Sequence, residues 1–199
     1  MTASSVEILT IGHSTLSYQH FLGLLRGAKV TAIADVRSAP YSHHSPHFSR
    51  EALKNELRRA GIAYVFLGRE LGGRPKDSQF FRDGVADYER MARGVQFAKA
   101  LDRVVDGAKR YRIALMCSEH NPLDCHRCLL VGRALHEQGI VVRHILSNGT
   151  LVDQEEIELK LMGVSGRSDA ELFDTDEQRR ASAYRDRALR VAYSESRLR

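Results

Sequence analysis

The sequence predicts an α/β fold, a three-layer α/β/α sandwich around a mostly parallel sheet of about five strands. Two observations carry this. Short apolar runs recur along the chain, and the one at residues 113–116 holds no charge at all, as a central strand buried on both faces requires. Between the runs lie stretches with apolar residues at helical spacing, so that strands and helices alternate.

Residues 6–11 read as the first strand, closing in Gly12-His13-Ser14, with Ser14 or Thr15 capping a helix that carries Phe21, Leu22, Leu24 and Leu25 inward. Gly12 and His13 read equally as a tight turn and a hydrogen-bonded loop histidine. Residues 30–37 form the second strand. Asp35 and Arg37, two apart, share a face near its end, as a structural ion pair or as an arginine held ready for an anion.

The following loop holds Pro40, His43, His44, Pro46 and His47. The histidine spacing fits neither a helical pair nor a zinc knuckle, so the loop reads as a cover for substrate rather than as a metal site. Ser49 caps a helix with Leu53, Leu57 and Ala60 on its stripe, and Gly61 ends it. A third strand, 62–67, runs into Gly68-Arg69-Glu70-Leu71-Gly72-Gly73-Arg74-Pro75. That backbone is bare enough to approach a ligand at Gly72 and Gly73, but it matches no Walker or dinucleotide pattern. Residues 77–106 read as two helical pieces broken near Gly84 or Gly94.

The central stretch is the strand 113–116 closed by Cys117, a polar loop with Glu119 and the Asn121-Pro122 turn, and a helix capped by Asp124. Cys125, His126 and Arg127 then occupy the first turn of that helix, where free N–H groups favour anions. Residues 140–146 form another strand, Asn148-Gly149 a turn, and 150–162 a short helix. These elements define one domain, 1–163. Residues 164–199 form a charged tail of one or two exposed helices anchored by Leu172, Phe173, Tyr184, Leu189 and Tyr193, a candidate for packing on a second copy as a homodimer or for disorder at its end.

The net charge of +5 admits nucleotides or nucleic acid as partners, although a solvated basic surface explains it as well. No apolar run approaches the roughly 20 residues of a membrane span, and the first residues lack a signal-peptide pattern. The expectation is a cytoplasmic protein with Cys117, Cys125 and Cys128 reduced.

With these residues in view, the chain resembles the DUF488 family of uncharacterised bacterial and archaeal proteins. The resemblance rests on Thr10-Ile-Gly-His13-Ser14, Asp35-Val-Arg37-Ser-Ala-Pro40, Tyr64-Val-Phe-Leu-Gly68-Arg-Glu-Leu-Gly72-Gly73, and Cys117-Ser-Glu119 followed by Cys125-His126-Arg127. It implies a three-layer α/β fold with these motifs around one pocket. It supplies no reaction and does not extend past residue 163.

Three chemistries compete for the central stretch. Zinc would take Cys117, Cys125 and Cys128 with a histidine, though Cys128, followed by two leucines, fits the core equally well. A thiolate nucleophile would be Cys117 or Cys125. The reading preferred from sequence uses no nucleophile and no metal: His13 and His126 as acid and base, Glu119 as carboxylate partner, Arg37 and Arg127 as anion clamps, with Ser14, Asp35, Gly72 and Gly73 completing the binding site. It expects an enzyme acting on a phosphate-bearing substrate, a nucleotide or nucleic acid, and names no cofactor. A non-catalytic nucleotide- or nucleic-acid-binding module and a Cys/His metal-binding protein are the alternatives.

Overall fold

The computed structural model describes residues 6–41, 45–168 and 174–195. Its strands are β1 (Glu7–Gly12), β2 (Ala32–Asp35), β3 (Ala63–Phe66), a short ribbon of β4 (Phe81–Arg82) and β5 (Val85–Ala86), then β6 (Ile113–Cys117), β7 (Val141–Ile145) and β8 (Leu151–Asp153). Six of them form one sheet in the order β3-β2-β6-β1-β7-β8. Every pairing is parallel except that of β8 with β7.

Helices α1 (Tyr18–Gly27) and α2 (Arg50–Arg59) cover one face of the sheet. Helices α3 (Tyr88–Ala92), α4 (Val95–Ala108), α5 (Arg133–Glu137), α6 (Gln154–Val164) and α7 (Asp176–Val191) cover the other. The strand residues alternate between the two cores. Leu9, Ile11, Ile33, Ala114 and Met116 pack under α1 and α2, while Ile8, Ala32, Ala34, Ile113, Leu115 and Cys117 face the opposite layer. With both faces covered, apolar side chains on either side of each strand are removed from water, about 1.5–3 kcal/mol for each large one. This is the α/β/α sandwich expected from the apolar runs.

Three local expectations are corrected. The helix read at 150–162 begins with β8, because Asn148 and Gly149 turn the chain back as a hairpin on β7, with Gly149 at φ 86° and Val152 buried. The first helical piece read at 77–106 is instead a 3₁₀ turn, the ribbon and then α3. Asp83 and Gly84, both at positive φ, form the two-residue loop between Arg82 and Val85, a sequence pair suited to a type I′ turn. The cap of α1 is Ser17, whose hydroxyl accepts from His20 N, rather than Ser14 or Thr15. His43, His44, Leu172 and Phe173 lie outside the described residues.

The segment after residue 163 buries Ala183 and Tyr184 in the core shared by α4, α5 and α6. Arg187 donates to the Leu123 carbonyl and pairs with Asp124. Beyond α7, Ala86 N donates to Tyr193 O and Glu195 N to Gly84 O, so residues 193–195 lie along the ribbon.

A buried polar chain ties α7 to the sheet. His144 Nε2 donates to Gln154 Oε1 (2.8 Å) and Nδ1 accepts from Thr10 Oγ1 (2.8 Å). Gln154 Nε2 donates to the Tyr184 hydroxyl (2.7 Å), which donates to Glu158 Oε1 (2.8 Å). Both nitrogens of His144 are thus engaged as a neutral ring. Burial, helped by the charge of Arg127, pushes its pKa from 6.5 down to about 4. The unfolded chain therefore binds more protons between those values, and stability falls as pH drops from 6.5 towards 4. The melting temperature is expected to decline across that window, and His144→Asn, which cannot titrate, should make the decline shallower. Equal slopes in parent and variant would show that His144 is not the source.

Candidate functional site

The strand order sets β6 between β2 and β1, so the carboxyl ends of these three strands meet at one place, as ligand sites in open α/β sheets do. The ladder continues past the strand ends: His13 N donates to Cys117 O, Ser14 N to Ser118 O and Val36 N to Met116 O. A cavity of about 340 Å³ opens there. Arg37 and Ser38 from the β2 end, Cys117 to Glu119 from the β6 end, and Cys125 and His126 line it. Gly73, Arg74, Tyr88 and residues 191–194 of the chain end close it.

The entry into the following helix differs from the sequence expectation. Pro122 starts a single 3₁₀ turn capped by Asn121, whose Oδ1 accepts from Leu123 N. That turn moves the helix start one residue on. Cys125 is extended, at φ −136° and ψ 137°, and its carbonyl accepts from Cys128 N and Leu129 N. Its Sγ accepts from Arg127 N at 3.5 Å. Cys125 therefore stands where Asp124 was expected, and Asp124 pairs instead with Arg187 and Asn121. The helix runs as a π-helix over Arg127–Gly132 before continuing as α5, a distortion found often at functional sites.

His126 Nε2 donates to the Val36 carbonyl at 2.9 Å. A carbonyl only accepts, so this bond places a proton on Nε2, and the neutral form of the ring then carries its lone pair on Nδ1. That lone pair faces Cys117 Sγ at 3.7 Å and Cys125 Sγ at 3.9 Å. All three ligand atoms lie within 4.8 Å of one another. The thiols divide: the hydrogen bond to Cys125, with burial, holds Cys117 protonated. Burial opposes the charge on Cys125, but the Cys117 hydrogen bond, the charge of Arg127 and the contact with His126 outweigh it and bring its pKa well below the ordinary thiol range. Cys128 stays apart, beside Gln154, where burial pushes its thiol up to about 12. All three cysteines are free thiols.

Arg127 does not meet the cavity. Its side chain is buried, donating from Nη1 to Glu119 O (2.6 Å) and from Nη2 to His120 O (3.0 Å), while Nε has no partner among the described residues. No carboxylate among those residues pairs with it. Its role in this geometry is to hold the loop after β6 and to hold positive charge near the thiols. The loop is close enough to β1 that a Cβ on Gly12 would lie 1.8 Å from the Glu119 carbonyl oxygen.

Arg37 is held otherwise. Asp35 accepts from its Nε at 2.9 Å and from its Nη2 at 2.7 Å, and Tyr64 donates to Asp35 Oδ2 at 2.7 Å. Nη1 of Arg37 donates to His13 Nε2 at 3.1 Å. His13 Nδ1 in turn donates to Ser14 O at 2.9 Å, and the ring stacks on Phe48 at 4.1 Å. Burial and the Arg37 charge lower the His13 pKa to about 4. Both nitrogens of His13 are thus engaged, one of them on Arg37, and the ring does not line the cavity. Ser14, at φ 44°, does not line the cavity either. Glu119 stands on the cavity wall, its carboxyl raised by partial burial and by Cys125.

Gly72 and Gly73 are required by protein neighbours. A Cβ on Gly72 would lie 2.3 Å from Gly68 O and 2.4 Å from Ser38 Oγ, and one on Gly73 within 2.8–2.9 Å of the His126 ring. Sequence reasoning missed Arg74, Tyr88 and Tyr193 as lining residues. Arg74 had a signal, since it follows the two glycines, and it stacks over Tyr193 at 5.4 Å. Tyr193 had none, standing in the charged tail.

Gly73→Ala is expected to destabilise the protein by about 1–3 kcal/mol, because the methyl group must displace His126 or the loop. Gly23→Ala, in the open face of α1 with nothing within 4 Å of its Cβ, should raise stability by up to about 1 kcal/mol. Denaturant midpoints for the two variants check the pair. A Gly73→Ala midpoint equal to the parent's would remove the packing constraint on His126.

No curated protein and no solved structure gives a significant match to the chain. Among the described residues no helix is long and apolar enough to cross a membrane. Residues 17–134 match the family model described as "domain of unknown function DUF488", a segment that includes Arg37, Gly73 and the whole Cys117–His126 stretch. The chain belongs to the DUF488 family.

Proposed function

We propose that the cavity is the active site of an enzyme acting on a phosphate-bearing substrate, a nucleotide or a nucleic-acid end. The observation that carries this is Arg37. Three of its five N–H groups are fixed on Asp35 and His13, and its guanidinium stands in the cavity wall beside the Cys117, Cys125 and His126 cluster. An arginine held this way keeps its remaining donors aimed at an oxyanion without losing side-chain freedom on binding. Arg74 adds a second cation on the same wall. Glu119, whose carboxyl stays protonated to higher pH than usual, is the group assigned to proton transfer, in place of His13. The cluster provides the reacting centre. A module that only binds would need the arginines but neither Glu119 nor the cluster.

Arg37→Lys is expected to weaken binding of nucleoside phosphates by roughly ten- to a hundredfold, the loss of about 1.5–3 kcal/mol from a charge-assisted contact. Glu119→Gln should leave that binding within a few-fold and remove turnover. Calorimetric titration with nucleoside 5′-phosphates and 5′-phosphorylated oligonucleotides measures the first, and product analysis with the same compounds the second. Equal ligand-induced stabilisation of Arg37→Lys and parent would rule out Arg37 as the anion contact. Full turnover by Glu119→Gln would remove Glu119 from the proton path.

A further inference from the structure

We propose that Cys117, Cys125 and His126 are three ligands of a zinc-type divalent metal centre whose fourth position opens into the cavity. The inference rests on reading that cavity as the active site and specifies what its reacting centre is. Two thiols and an imidazole suit a borderline-soft ion of tetrahedral preference. Zinc bonds of about 2.3 Å to sulfur and 2.0–2.1 Å to nitrogen put tetrahedral sulfur and nitrogen ligands roughly 3.6 Å apart. The Nδ1 lone pair of His126 lies 3.7 Å from one sulfur and 3.9 Å from the other, so the three donors need only small movements.

Two further features point to a ligand at this spot. The Nε2 hydrogen bond to Val36 O fixes the tautomer and the ring orientation, which is the outer contact that metal-bound histidines keep. Gly73 lies against the ring on the cavity side, closer than a Cβ allows, and so limits its movement. A catalytic Cys–His dyad would need one sulfur against the imidazole, whereas two converge on the same lone pair.

Two thiolates neutralise a divalent ion, and the charge of the buried Arg127 is offset by the Glu119 carboxylate on the cavity wall. Three protein ligands leave the fourth tetrahedral position, on the cavity side, for water or an oxygen of the substrate. Metal-bound water that loses a proton to the Glu119 carboxylate would form a P–O bond to the substrate phosphorus as the P–O bond to the leaving oxygen breaks, and Glu119 would return the proton to that leaving oxygen.

The test uses the full chain, reduced and freed of metal by chelation, and titrated with cobalt(II). Saturation at one ion per chain, with tetrahedral visible bands and thiolate charge-transfer absorption that zinc(II) abolishes, is expected for the parent. Cys128→Ser should match it. Cys117→Ser and Cys125→Ser should each lose cobalt affinity by at least about a hundredfold, more than the ten- to hundredfold of losing an outer contact. X-ray absorption of zinc-loaded parent should show two sulfur ligands, and this decides the matter alone if either serine variant fails to fold. No saturable band, parent-like affinity in both serine variants, or a shell of nitrogen and oxygen only overturns the centre. Arg37→Lys separates the two proposals, since it should keep cobalt affinity while losing phosphate. Phosphate binding without cobalt binding removes the metal and leaves the functional reading. Cobalt binding without any nucleotide or phosphate affinity does the opposite.

Discussion

The buried guanidinium of Arg127 is the constraint on which the rest of the site depends. A cation taken from water without a carboxylate partner is costly, so the groups around it have to answer its charge. Two backbone carbonyls, of Glu119 and His120, accept from it directly and fix the course of the loop after β6. That course brings the loop against β1 so closely that only glycine fits at position 12. The same charge draws the Cys125 thiol down and helps hold His144 on β7 neutral. One side chain thus couples backbone path, thiol charge and core histidine.

Two polar networks then connect the cavity to opposite parts of the fold. On the β2 side, Tyr64, Asp35, Arg37 and His13 are joined by hydrogen bonds of 2.7–3.1 Å, and the neutral ring of His13 is wedged against Phe48. On the β7 side, Thr10, His144, Gln154, Tyr184 and Glu158 run from the sheet to α7. Networks of this kind stabilise only when fully satisfied, and here both histidines use both nitrogens. The second network matters to the cavity because α7 leads directly into residues 191–194, which form part of its wall. The chain end therefore belongs to the site's geometry although it lies outside the family match.

The sheet was legible in the sequence because its central strands are covered on both faces, and the apolar-rich stretches at 6–11 and 30–36 and the unbroken apolar run at 113–116 have few other uses. Strands β4, β5 and β8 were not, being two or three residues long and specified by the Asp83-Gly84 and Asn148-Gly149 turns more than by their own side chains. The site was legible as a neighbourhood: Arg37, Cys117, Glu119, Cys125 and His126 line one cavity. Their roles were less so. The spacing of Asp35 and Arg37 let their pairing be read from the sequence, whereas Arg127 finds only backbone carbonyls, which no pattern of side chains reveals. His13 and His126 both follow strands, but only His126 keeps a nitrogen lone pair facing the cavity cluster. The proline at 122 shifted the helix start from Asp124 to Cys125, and with it turned a presumed capping carboxylate into a partner for Arg187.

The difference between the two arginines bears on how an anion would be handled under the proposed function. Arg37 and Asp35 together carry no net charge, so their pair contributes direction more than long-range attraction: the fork offers N–H groups at a fixed place and falls off steeply with distance. Arg127 offers no N–H to the cavity, and its buried charge acts at close range on the Cys125 thiol and more weakly on the cavity, where the low dielectric keeps it effective. Attraction and orientation are thereby assigned to different residues. A loss of the fork would misplace the ligand without changing the field that draws it in. A loss of the buried charge would instead alter the thiols first, since they lie nearest to it in effect, and the ligand only through them.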